Sequence, residues 1–241
     1  MSVKALLKQT FTRVLNLSVG LAVGASASMG FGVKPADAAS LLVGNTDGNN
    51  VVLFDSTTGQ FQKEFIAPGS GGLLRPDDLV LGPDGNLYIS SGGDSGTGKI
   101  LRYNSQTGQF IDVFAEGGIR PYGIAFGPDG YLYVSSFRTD EILRFDATTG
   151  TFVDVFATGT KTANGLNGPN DLLFTPDGKL LVSTQGSVAL GGGTISFRFG
   201  FESQVISYDI ATKQSTVLVN QPAPAPGSGF VSFLGLALGP T

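Results

Sequence analysis

Apolar residues in this chain come in runs of four to six, each closed by a cluster of Gly, Pro, Asp, Asn or Thr. Runs of that length suit strands rather than helices, and no window sustains a 3.6-residue period. The runs also repeat. Leu79-Val-Leu-Gly-Pro-Asp-Gly-Asn-Leu-Tyr-Ile-Ser90 returns as Ile124-Ala-Phe-Gly-Pro-Asp-Gly-Tyr-Leu-Tyr-Val-Ser135 and as Leu172-Leu-Phe-Thr-Pro-Asp-Gly-Lys-Leu-Leu-Val-Ser183. A fourth copy begins at Leu236-Ala-Leu-Gly-Pro240. Between these lie Asp55-Ser-Thr-Thr-Gly59, Asn104-Ser-Gln-Thr-Gly108 and Asp146-Ala-Thr-Thr-Gly150, with a worn copy, Asp209-Ile-Ala-Thr-Lys213.

Both signatures are turns. Pro-Asp-Gly presets φ at proline and supplies the positive φ that a tight hairpin needs at glycine. An Asp or Asn followed by Thr-Gly makes a side-chain-to-backbone turn of the same kind. One unit therefore reads as four strands, in the best copy near 122–126, 131–135, 141–145 and 151–156. Four short strands recurring every 42–50 residues predict an all-β chain of antiparallel propeller blades. A β-sandwich would not repeat its turn chemistry at fixed spacing.

Complete units are expected near 77–116, 121–157 and 170–219, preceded by three strands near 41–44, 51–55 and 60–65. A lone first strand is expected at 234–238. About four blades are thus present. Either the lone strand joins the opening three and closes a four-bladed ring, or the chain is part of a larger ring. The second reading is preferred, because every other first strand runs on into a second. The segment 187–202 interrupts the last full unit, either as a loop lining a site or as a long hairpin packed on a neighbour.

Composition narrows the chemistry. The chain has no Cys and no His, which excludes disulfides, thiolate chemistry, His bases and His-ligated zinc. Residues 1–39 read as a secretory signal: Lys4, Lys8 and Arg13 precede a weakly apolar stretch, and Pro35-Ala-Asp-Ala38 offers a cleavage site. The propeller domain would then be 40–241, secreted or periplasmic, with no stable membrane insertion after cleavage. Removing residues 1–39 leaves 15−4 = 11 basic and 19−1 = 18 acidic residues, a net charge of −7 that disfavours nucleic acid as a partner. A monomer is expected.

The stretch Arg120-Pro-Tyr-Gly-Ile-Ala-Phe-Gly-Pro-Asp-Gly-Tyr-Leu-Tyr-Val-Ser135 resembles the NHL-repeat and gluconolactonase-like propellers, which include lactonases related to senescence marker protein. The resemblance covers 41–240 and implies six blades. It also implies one Ca2+ ion in the central tunnel, held by oxygen ligands that precede innermost strands. The matching positions here are Asp77, Tyr122, Asn170 and Leu234. Asn170 and Asp77 are the metal candidates; Tyr122 and Leu234 cannot ligate, and no early Glu matches. Arg120 and Tyr122 are the substrate-binding candidates. The repeated aspartates Asp84, Asp129 and Asp177 are turn residues. A streptogramin-lyase resemblance would call for His, which is absent.

Two functions follow. The first is an exported binding module that takes a small ligand or protein through its tunnel face. The second is a calcium-dependent lactonase or esterase in which Asp77 activates water. Fold alone does not choose between them.

Overall fold

Residues 40–94, 96–162, 165–190, 197–223 and 232–239 are described in the computed structural model of the chain. The expected signal segment and cleavage site lie outside these residues. Among the described residues seventeen strands form four antiparallel meanders and one added hairpin. Strands β1 (Ser40–Asn45), β2 (Asn50–Asp55) and β3 (Phe61–Ile66) make a three-stranded sheet. Strands β4 (Leu79–Leu81), β5 (Leu87–Ser91), β6 (Lys99–Tyr103) and β7 (Phe110–Glu116) make the second blade. The third comprises β8 (Pro121–Phe126), β9 (Tyr131–Ser136), β10 (Glu141–Asp146) and β11 (Phe152–Thr158). The fourth is β12 (Pro169–Phe174), β13 (Leu180–Thr184), β16 (Ser203–Tyr208) and β17 (Ser215–Gln221). The hairpin β14 (Ser187–Ala189) and β15 (Phe197–Phe199) is inserted into it. No helix among the described residues is long and apolar enough to cross a membrane.

The repeated turns do what their residues require. Gly85, Gly130 and Gly178 hold φ of 78°, 82° and 82°. Asp55 Oδ1 accepts from Thr57 N at 2.9 Å and Thr58 N at 2.7 Å, and Asp146 repeats this with Thr148 and Thr149 at 2.9 and 2.8 Å. A register shift recurs between the third and fourth strands of every blade and between the two outer strands of the first sheet, adding twist at the rim.

Burial lies between blades rather than within them. Val51, Ile66, Leu79, Leu101 and Tyr103 cluster between the first two sheets, and Tyr88, Ile124, Leu143 and Phe145 between the second and third. Tyr133, Phe156, Leu172, Ile206 and Tyr208 fill the third interface. Tyr133 stands edge-on to Phe156 and Phe174 at 5.1 and 5.3 Å, as Tyr88 does to Phe114 and Phe126 at 4.9 and 5.0 Å. Such pairs favour one angle between neighbouring blades.

One expectation is corrected. Residues 232–239 form no strand ladder, and β1 pairs only with β2 among the described residues. Among the described residues the arc is therefore open, and they close no four-bladed ring. Leu234 O instead accepts from Ser183 Oγ at 2.7 Å, and Leu236 N donates to Asp171 Oδ2 at 2.6 Å, so the segment seats on the fourth blade. The interruption at 187–202 contains the hairpin, whose Ala189 N donates to Asp140 Oδ2 of the third blade at 2.8 Å.

Candidate functional site

The innermost strands are set in place by a relay of buried serines. Ser90 Oγ accepts from Asp78 N at 2.8 Å and donates to Tyr122 O of the next blade at 3.0 Å. Ser135 repeats this between Gly123 N and Asn170 O at 2.8 and 2.7 Å, and Ser183 between Asp171 N and Leu234 O at 3.0 and 2.7 Å. Ser90 and Ser135 thus tie their own inner strands to the next, and Ser183 ties its own to the segment 232–239. Aspartates add a second tie: Asp78 Oδ2 accepts from Ile124 N at 2.9 Å, and Asp171 does the same for Leu236 N. Gly123 takes the corresponding place in the third blade, because a Cβ there would strike Asn170 O and lie 2.8 Å from Asp171 Cα.

On this uniform frame the preceding residue varies: Asp77, Tyr122, Asn170 and Leu234 stand at one level. The structure brings three of the sequence candidates together. Arg120, 4% exposed, places Nη2 3.3 Å from Asp77 Oδ2, and its guanidinium lies 4.8 Å from the Tyr122 ring centroid. Tyr122 in turn meets Phe137 edge-on at 5.1 Å. Asn170 stands on β12, half-buried, with its carbonyl held by Ser135.

Burial pushes the Asp77 carboxyl up to about 6, against the opposing pull of the Arg120 and Arg75 charges and the Thr46 hydroxyl. Asp94 is nearby and is gripped by Arg138 at 2.8 Å. Burial pushes its carboxyl up, but the Arg138 hydrogen bond and the charges of Arg138, Arg120 and Arg75 hold it below the ordinary range.

Sequence reasoning missed Arg75, Asp94 and Arg138. For Arg75 a signal existed: it precedes Pro76 as Arg120 precedes Pro121 and Gly168 precedes Pro169. All three residues turn the chain into an inner strand with positive φ, at 48°, 56° and 66°. Glycine adopts that conformation freely, whereas each arginine gives up about 1–2 kcal/mol.

No protein-family model matches the chain. No curated protein matches it either. Solved structures do match. A gluconolactonase from Xanthomonas campestris is 19% identical with a TM-score of 0.53, over 77% of this chain and 59% of that one. Regucalcin from Agrobacterium tumefaciens, described as a calcium-binding protein, is 21% identical with a TM-score of 0.51, over 78% and 58%. Hydrazine synthase from Kuenenia stuttgartiensis is 22% identical with a TM-score of 0.52, over 82% and 53%. The fold is thus a β-propeller arc similar to those of gluconolactonase and regucalcin. The chain spans between 53% and 59% of the length of these three.

The residues present do not fit a calcium ion as they stand. Calcium takes six to eight oxygens and is favoured by unpaired carboxylates. Asp77 is engaged by the Arg120 guanidinium, with the Arg75 charge also acting on it. Tyr122 separates it in register from Asn170, and among the described residues no three acidic side chains gather.

Proposed function

We propose that this chain is an exported propeller module that binds a small polar ligand through its tunnel face, where Asp77, Arg120, Tyr122 and Asn170 stand at the entries to the inner strands. The observation that carries this reading is the contrast between a uniform frame and a varied level. Ser90, Ser135 and Ser183 repeat the same two hydrogen bonds, while the residues whose positions they fix are Tyr, Asn and Leu. A scaffold that repeats its supports and diversifies what it presents suits recognition more than packing. Tyr122 offers a ring face and Asn170 an amide, both half-buried.

The order of residues 1–39, basic then apolar then small, supports export to the periplasm or beyond, which N-terminal sequencing of the mature protein would check. The acidic balance of the mature chain supports a partner other than nucleic acid.

A thermal-shift screen of small metabolites tests the reading. At least one compound should raise the melting temperature of the wild type and leave Tyr122→Ala unmoved. A screen in which every hit acts equally on both proteins overturns it.

A second reading, hydrolysis of a lactone or ester with Asp77 as the base, is favoured by the carboxyl held at about 6. Calcium, magnesium, manganese and zinc should leave the melting temperature unchanged. A rise that Asn170→Ala abolishes would restore the metal-dependent form of that reading.

A further inference from the structure

The cluster around Asp77 holds more positive charge than it neutralises. Three guanidinium groups, of Arg75, Arg120 and Arg138, act on two carboxylates, Asp77 and Asp94. Asp94 is occupied by Arg138 at 2.8 Å, and Asp77 by Arg120 at 3.3 Å. Among the described residues one positive charge is left over.

Two donors are also left over. Among the described residues, the Nε of Arg120 and the Nε of Arg75 are both buried with no hydrogen-bond partner. Buried donors on charged groups are ordinarily matched by an acceptor, so two such atoms on neighbouring arginines point to one. The backbone makes the same point independently. Arg75 and Arg120 hold left-handed φ of 48° and 56° in register with Gly168, where the fourth blade solves the same turn without strain. Strain kept twice at matching positions of adjacent blades leads from an outlier to a functional role.

We infer that Arg75 and Arg120 together form the recognition site for a carboxylate-bearing small molecule, flanked by the Tyr122 ring. A guanidinium presents paired N–H donors that match the two oxygens of a carboxylate. A single negative charge cancels the excess. A dianion such as a phosphate monoester would overshoot it beside Asp77 and Asp94. This inference rests on the binding reading above and specifies its ligand class.

Isothermal titration tests it, with acetate and gluconate as the anionic probes and glucose as the neutral one, at constant ionic strength and pH 7.5. Both anions should bind saturably and glucose should not. Arg75→Gly should weaken anion binding at least tenfold while leaving the melting temperature without ligand equal or higher, because glycine suits that φ. An arginine with only a structural role would lower it instead. Arg120→Lys keeps the charge, removes the fork and should also weaken both anions.

Equal binding of glucose and gluconate, or anion binding unmoved in Arg75→Gly, overturns the carboxylate assignment and leaves the broader binding reading intact. Absence of binding by both anions also overturns it, and the Tyr122→Ala screen then decides the broader reading alone.

Discussion

The Thr-Gly turns of the first and third blades are almost the same object locally. Asp55-Ser-Thr-Thr-Gly59 and Asp146-Ala-Thr-Thr-Gly150 make matching hydrogen bonds, and their glycines hold φ of 69° and 72°. Their surroundings differ completely. A Cβ on Gly59 would meet nothing within 4 Å, whereas one on Gly150 would strike the carbonyl oxygen of Phe114 in the preceding blade. Gly108 is pressed by Phe65 in the same way. One local solution therefore serves as a free turn at one end of the arc and as a packing contact further along it.

That difference can be broken at several strengths. Gly150→Ala combines a left-handed φ with a backbone collision and should cost roughly 3–5 kcal/mol in urea unfolding. A loss below about 1 kcal/mol would show that the blade contact yields easily. Asp78→Ala, which strips a buried acceptor from Leu79 N and from Ile124 N of the next blade, should cost about 3 kcal/mol. An equal loss in Gly150→Ala and Gly59→Ala would mean that the turn alone, and not its neighbour, sets the cost.

Asp77 sharpens the comparison through pH. Pro76-Asp77 and Pro83-Asp84 look alike in the chain, yet their carboxyls move in opposite directions. Burial pushes Asp77 up to about 6, while Asp84, despite a lesser push from burial, is held below its ordinary value by Asn86 and Tyr88. The folded protein keeps the Asp77 proton to about pH 6, and the unfolded chain releases it near 3.8. The folded state therefore binds more protons in that window, and stability falls as pH rises from about 3.8 to about 6. The Asp77 contribution should be on the order of 2–3 kcal/mol. Asp77→Asn should flatten it, as read from urea midpoints across the window; an unchanged slope would remove Asp77 from the account. The smallest effect is Gly59→Ala, about 1 kcal/mol from φ alone.

Much of the fold was legible because its signals are local. Pro-Asp-Gly and Asp-x-Thr-Thr-Gly specify their turns through φ preferences and side chains reaching two or three residues along, so strand bounds came within a residue or two, as at β8 to β11. The lone strand at 234–238 was misread because a strand needs a partner edge, which an apolar pattern cannot supply. The site was half legible. The register of Asp77, Tyr122 and Asn170 could be counted from the repeat, but the pairing of Asp77 with Arg120 joins residues 43 positions apart.

By itself the sequence determined the blade repeat, the two turn chemistries, and the exclusion of Cys and His chemistry. Those follow from residue identity and short-range geometry. The tertiary structure alone decided which glycines bear a neighbouring blade, that the arc stays open among the described residues, and that a carboxylate with the outward look of a metal ligand is answered by arginine. Those depend on which strands come to lie side by side, and burial and long-range pairing set their energies.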